Sequence, residues 1–348
     1  MRLRRNGLAA RTGLYAFFHF WVDFACILLV TGPLRETVMF RGDWMVLVLV
    51  YNAFAFAFQL PFGVLADRLG KSWRVAGIGA VLVAAGWCCR GVPLAACIAA
   101  GIGNALFHLG GGREVLLLGG PKAAPSGVFV STGAVGVFLG LWCARTGKTA
   151  WPVPVLLMMV AAGLIFFLGR RPESAEVLWK PASPSARKTG AVFLLAATVA
   201  LRSWLGGQMA FPWKTGWLAL AVVLCVAGGK AIGGILGDRL GWMNTAGMTL
   251  FLAALCFFGS FAVPGVGLAG ALLFNTTMPI TLGALARLLG AENCGLAFGI
   301  TTFSIFVGLS PDFLTLPDWM ASPLVLGLGA FLSLLLLLGG LTLEEKSR

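Results

Sequence analysis

A chain of 348 residues that is 59% hydrophobic and 11% charged is too apolar for a soluble domain, where about a quarter of residues carry charge. Its net charge of +13 is spread along the sequence instead of gathered on one polar segment, which sets nucleic-acid binding aside. Composition, with a mean hydropathy of +0.91, points to an all-α integral membrane protein whose 48 glycines let helices pack closely.

Residues 1–6 are basic and lead into an apolar run over 13–31. The run reads as an uncleaved first helix, because His19 and Asp23 interrupt it and no small-residue cleavage site follows. His19 and Asp23 are four apart, so they share a helix face one turn from each other. Asp23 lies ~15 Å along the helix from Gly13, near mid-bilayer. A carboxylate there costs about 2.5–3.5 kcal/mol, so it must be paired or protonated. A proton-coupling pair is the expectation, against a purely structural hydrogen bond.

Runs of spanning length follow at 44–66, 74–92, 94–118, 127–143 and 151–169, then at 190–211, 214–236, 244–262, 265–289, 294–311 and 319–341. With the first, they make twelve spans, most near the ~20 residues that cross the hydrocarbon. The sizeable polar linker, 170–189, carries Pro172, Pro181 and Pro184. It divides a six-helix half at 1–169 from a second at 190–348. With the amino terminus placed inside, 17 Lys and Arg fall on the cytoplasmic side, six on the other, and Arg113, Arg202 and Lys230 stay within spans. A plasma-membrane protein with both termini cytoplasmic is expected, working as a monomer in the lipid bilayer.

The fourth span repeats the first's spacing with Asn104 and His108, then runs into Gly110–Gly112, Arg113 and Glu114. Two readings stay open there. The glycines loosen the helix into an anion cradle beside Arg113, or they serve close packing while Arg113 and Glu114 neutralise each other. Arg202 lies ~18 Å into the seventh span and cannot shed its charge by deprotonating. Its expected partner is Asp23 or an anionic substrate, with Trp204 beside it. The eight cysteines form no C-x-x-C and have no histidine cluster, so they read as small buried thiols, not disulfides or metal ligands. No catalytic motif is present, and neither an enzyme nor a cofactor is expected.

Two loops organise the whole. Gly63-Val-Leu-Ala-Asp67-Arg68-Leu-Gly70-Lys71 is echoed by Gly234-Ile-Leu-Gly-Asp238-Arg239-Leu-Gly241 at a constant offset of 171 residues. Pro93 with Pro264, and Asn104 with Asn275, keep the same offset. Internal duplication of a six-span unit is the mark of a carrier. The Asp-Arg pairs are candidate gates, since a carboxylate at a helix end can engage an arginine or a helix N-terminus across the halves.

The first loop resembles the signature of the major facilitator superfamily; the second lacks the trailing basic residues, with Trp242 and Met243 following. That resemblance implies two six-helix halves alternating around a central site. His19-x-x-x-Asp23, Gln59-x-Pro61-Phe-Gly63, Ala105-Leu-Phe-His108-x-x-Gly111, Leu201-Arg-Ser-Trp204 and Gly295-x-Ala-x-Gly299 are similar to the fosmidomycin resistance branch. Leu109 stands where that branch usually has proline.

The expectation is therefore a secondary transporter exporting a small, anionic or amphipathic compound. Asp23 with His19, or His108, would exchange a proton. Arg202, His108, Asn104, Trp204, Arg113 and Asn275 would meet the substrate, and Asp67, Arg68, Asp238 and Arg239 would gate. Uptake of an anionic nutrient by the same fold, or a non-transporting membrane sensor, are the alternatives. A sensor would tolerate Asp23→Asn and Arg202→Ala; a carrier would not.

Overall fold

The computed structural model describes residues 2–38, 41–148, 150–169, 179–313 and 316–347, so the 170–178 part of the expected linker lies outside the described residues. The chain is all-helical. Its twelve principal helices are α1 (Arg2–Thr31), α2 (Gly42–Leu69), α3 (Ser72–Cys88), α4 (Pro93–Gly119), α5 (Ala124–Arg145), α6 (Pro152–Leu168), α7 (Ala186–Gly207), α8 (Gly216–Leu240), α9 (Trp242–Gly259), α10 (Pro264–Leu289), α11 (Cys294–Leu309) and α12 (Pro323–Ser347). Among the described residues, ten helices are long and apolar enough to cross a membrane, and α3 and α6, at 17 residues each, are shorter apolar helices. A helix stands at each of the twelve expected spans, with ends shifted by a few residues except that α1 begins at Arg2, well before the expected start at Gly13.

Local chemistry explains where the helices start and stop. Prolines open α4, α6, α10 and α12, at the first turn, where a missing N–H costs nothing. Gly70, at φ +64°, ends α2 in the left-handed region, and its N–H returns to the Ala66 carbonyl at 3.1 Å. Its repeat mate Gly241, at φ +88°, ends α8. This is why the second glycine recurs in both loops. Helix α10 is interrupted between Asn275 and Met278. Pro279 has no N–H to give the Asn275 carbonyl, so the ladder breaks there.

Two compact units are present. The first comprises 1–118, 132–177 and 293–303; the second comprises 119–131, 178–292 and 304–348. Each is mainly one sequence half, with the start of α5 and the start of α11 exchanged. In the first unit, α3 and α4 touch backbone to backbone through glycines. A Cβ on Gly79 would run into the Phe107 amide, and one on Gly103 would lie 2.6 Å from the Val83 amide.

Gly110 belongs to the same seam, against the Ala76 backbone, and Gly112 faces the Phe298 ring. Helix α4 runs unbroken through all three glycines. Close packing is thus the role of Gly110 and Gly112, and the unbroken α4 keeps its amides in the helical ladder. In the second unit, 179–185 is laid along the end of α10: Trp179 Nε1 donates to the Ala286 carbonyl at 3.0 Å, and the Ala182 amide donates to Leu288 at 3.0 Å.

Candidate functional site

Within the first unit, α1 and α4 bring their polar pairs together. His19 Nε2 lies 3.1 Å from Asp23 Oδ2, the i, i+4 contact expected from spacing. His108 Nδ1 lies 2.8 Å from the Asn104 carbonyl, which can only accept, so that nitrogen carries the hydrogen and Nε2 holds a lone pair when the ring is neutral. That Nε2 is 2.7 Å from His19 Nε2 and 3.5 Å from Asp23 Oδ1. With His108 neutral, His19 Nε2–H is then the hydrogen shared between an imidazole and a carboxylate. Asn104 Nδ2 donates to Asp23 Oδ1 at 3.0 Å, while its buried Oδ1 has no hydrogen-bond partner among the described residues. Both histidines and Asn104 are buried.

Helix α5 presses against this cluster through glycine. Thr132 Oγ1 donates to the Ala16 carbonyl at 2.6 Å, and Gly136 lies on the Phe20 carbonyl. At Gly133 a methyl group would run into both Asp23 Oδ2 and His19 Nε2. Gly133 is a site residue that the motifs do not mark; the spacing Gly133-x-x-Gly136-x-x-x-Gly140 is the signal that reveals it, a row of small residues on one helix face.

The two Asp-Arg loops act through their aspartates and through helix N-termini. Asp67 Oδ1 accepts from the Gly295 amide at 2.8 Å and Oδ2 from the Leu296 amide at 2.8 Å, capping α11. A carboxylate suits that end of the helix dipole. Arg113 Nε donates to Asp67 Oδ1 at 2.8 Å, and its Nη1 donates to Ser72 Oγ at 2.8 Å. Arg113 and Glu114 therefore do not neutralise each other; Glu114 pairs with Arg11 at 2.6 Å. In the second unit Asp238 accepts from the Ala123 and Ala124 amides at 2.8 and 2.9 Å, capping α5. Arg68 and Arg239 are exposed, and neither has an ion-pair partner among the described residues.

Glycine makes the Asp67 cap possible. A Cβ on Gly63 would run into the Gly295 carbonyl oxygen. Gly63→Ala gains about 0.5–1 kcal/mol of helix propensity but overpacks a backbone contact at about 1–3 kcal/mol. A lower thermal midpoint in detergent is the expected net result; a higher one would show that the helices part freely.

The remaining feature lies in the second unit on α7. Arg202 is buried, and its Nη2 donates to the Phe274 carbonyl at 2.7 Å, one of the acceptors freed by the α10 break. Its guanidinium carbon sits 4.9 Å from the centre of the Phe274 ring. Its Nε is buried without a partner, and no described carboxylate is within ion-pair distance. Neighbouring Trp204 is half-buried. Asn275 turns back on its own helix, with Nδ2 donating to the Ala271 carbonyl at 2.8 Å.

No family model and no curated protein matches the sequence. Solved structures do match. The E. coli fucose:proton symporter FucP is 13% identical over 97% of this chain and 99% of its own, with a TM-score of 0.68. The human organic anion transporter MFSD10 is 14% identical over 94% and 99%, at 0.70. FucP in an outward conformation, described as a major facilitator superfamily transporter, is 12% identical over 96% and 99%, at 0.59. The chain thus has the major facilitator fold, the one its first loop implied.

Proposed function

We propose that the chain is a secondary active transporter that moves a small anionic or amphipathic compound by alternating access. Arg202 carries this reading. A buried guanidinium with, among the described residues, one hydrogen bond, an unsatisfied Nε and no carboxylate beside it is an expensive arrangement. An anion arriving from solution offsets that cost. MFSD10, an organic anion transporter of similar fold, agrees with an anionic cargo.

The coupling site in this reading is the His19–Asp23–His108 cluster, with a proton as its cation, as FucP, a fucose:proton symporter, suggests by likeness of fold. Asn104 steadies Asp23, and Trp204 and Asn275 flank the substrate. Asp67 and Asp238 are the latches, released and remade as the carrier alternates, with Arg113 serving Asp67 and Arg68 and Arg239 on the exposed side of each loop. A place in the fosmidomycin resistance branch is part of the proposal, on the resemblance at Ala105-Leu-Phe-His108 and Leu201-Arg-Ser-Trp204. Export across the plasma membrane, with both termini cytoplasmic, is the direction proposed. A carrier runs either way with its gradients, so uptake uses the same residues.

The test is a thermal-shift panel on the purified chain. Phosphonates and carboxylates should stabilise it, by about 2.7 kcal/mol at a hundredfold excess over Kd. Stabilisation by organic cations alone would sink the anion assignment.

A further inference from the structure

We propose that His19, Asp23 and His108 form a coordination site for a transition-metal dication, with Zn²⁺ the best chemical fit. The inference deepens the reading of the same cluster as the carrier's coupling site, with the dication taking the place of the proton there, and rests on that reading for what the ion does in transport; the coordination itself is argued from geometry.

With the His19 hydrogen moved to Nδ1, two imidazole nitrogens and one carboxylate offer donor atoms that all lie within 4.8 Å of one another. The close pairs stand at 2.7, 3.1 and 3.5 Å. Bonds of about 2.0–2.2 Å in a tetrahedron put neighbouring donors about 3.3 Å apart, so small rotations suffice. Two nitrogens with one oxygen suit zinc; calcium and magnesium call for shells of oxygen. The cluster carries a single formal negative charge with neutral rings, which a dication reverses without demanding a second buried carboxylate.

Three further observations mark a built site. His108 is oriented from behind by the hydrogen bond from its Nδ1 to the Asn104 carbonyl, which leaves Nε2 pointing its lone pair at the cluster. Outer partners of this kind fix a metal-bound imidazole. The Asn104 amide holds Asp23 through Nδ2, and its own Oδ1 is buried without a partner. Finally, residue 133 is glycine where any side chain would run into Asp23 Oδ2 and His19 Nε2. The absence of a Cβ keeps clear a position within bonding reach of two donors. Close helix packing explains Gly136 and Gly140, which meet backbone; Gly133 meets donor atoms.

The experiment uses the full-length chain purified in detergent, with Cys88→Ser and Cys89→Ser removing the two exposed thiols that would take metal themselves. Zn²⁺ titration by calorimetry should give one saturable ion per chain. Co²⁺, as an optical probe, should show the visible bands of a four-coordinate site and lose them on Zn²⁺ addition. Asn104→Ala should weaken Zn²⁺ about 10- to 100-fold, the effect of losing an outer partner. His108→Gln should weaken it more, and Gly133→Ala should weaken it by occupying the clear position.

Zn²⁺ affinity unchanged in both Asn104→Ala and Gly133→Ala overturns the site, even if His108→Gln proves too unstable to measure. So does the lack of saturable binding in the parent. Arg202→Met should leave Zn²⁺ binding intact. Loss of the metal with anion stabilisation retained sinks this inference alone; loss of anion stabilisation with the metal retained sinks the anion reading alone.

Discussion

Arg202→Met should weaken anion binding about 10- to 150-fold while leaving the chain as stable as before, or more stable. The first figure follows from one or more charge-assisted hydrogen bonds, worth about 1.5–3 kcal/mol, at the guanidinium. The second follows from what the side chain lacks: a buried cation with one bond to the Phe274 carbonyl and an unpartnered Nε is a net cost to the folded chain. Methionine keeps the contact with the Phe274 ring and removes the charge. Arg202→Lys keeps the charge but loses the planar fork, and should fall between the two. Isothermal titration with the best anion of the panel, beside a thermal melt, reads both quantities. A variant that melts earlier and binds anions unchanged would make Arg202 a cap for the α10 break and nothing more.

Asp67→Ala should destabilise the chain far more than Asp238→Ala, although the two residues are repeat mates. Each caps a helix with two amide bonds, and a lost cap costs about 0.5–2 kcal/mol. Asp67 additionally neutralises Arg113, which is buried and, among the described residues, has only Ser72 besides. Removing one partner of such a pair costs about 3–5 kcal/mol, because the other charge is left behind. Asp238 is exposed, and its further partner is the Trp242 indole at 3.3 Å. Thermal midpoints of both variants give the comparison. Arg113→Gln placed in the Asp67→Ala background should recover much of the loss. Equal midpoints for the two single variants would mean the Arg113 pair contributes nothing.

Much of this was legible in the residues, for reasons that differ from part to part. Twelve spans follow from hydropathy because the bilayer enforces a length. The paired loops follow from a repeat that this chain spells out in glycine and aspartate at a constant offset. His19 with Asp23, and Asn104 with His108, were visible because a helix turns their spacing into contact. That the two pairs meet was not visible, since nothing along the sequence states which spans are neighbours. Arg113 shows the same limit from the other side. Successive residues on a helix point some 100° apart, so Glu114 was a poor partner, and the true one lies 46 positions upstream at Asp67. Glycine triplets are ambiguous in principle: Gly110–Gly112 loosen a lone helix but seal a packed one, and only the neighbour decides.

The interruption in α10 has a bearing on how cargo is felt by the scaffold. On the proposed reading, the guanidinium that would meet an incoming anion is the same group that holds the loose carbonyl of Phe274. An anion at the unpartnered Nε would leave the Phe274 bond in place, while one reaching Nη2 would share that group with the severed helix. Loading at Nη2 would therefore be reported directly to a joint in the main chain, without any relay of side chains in between.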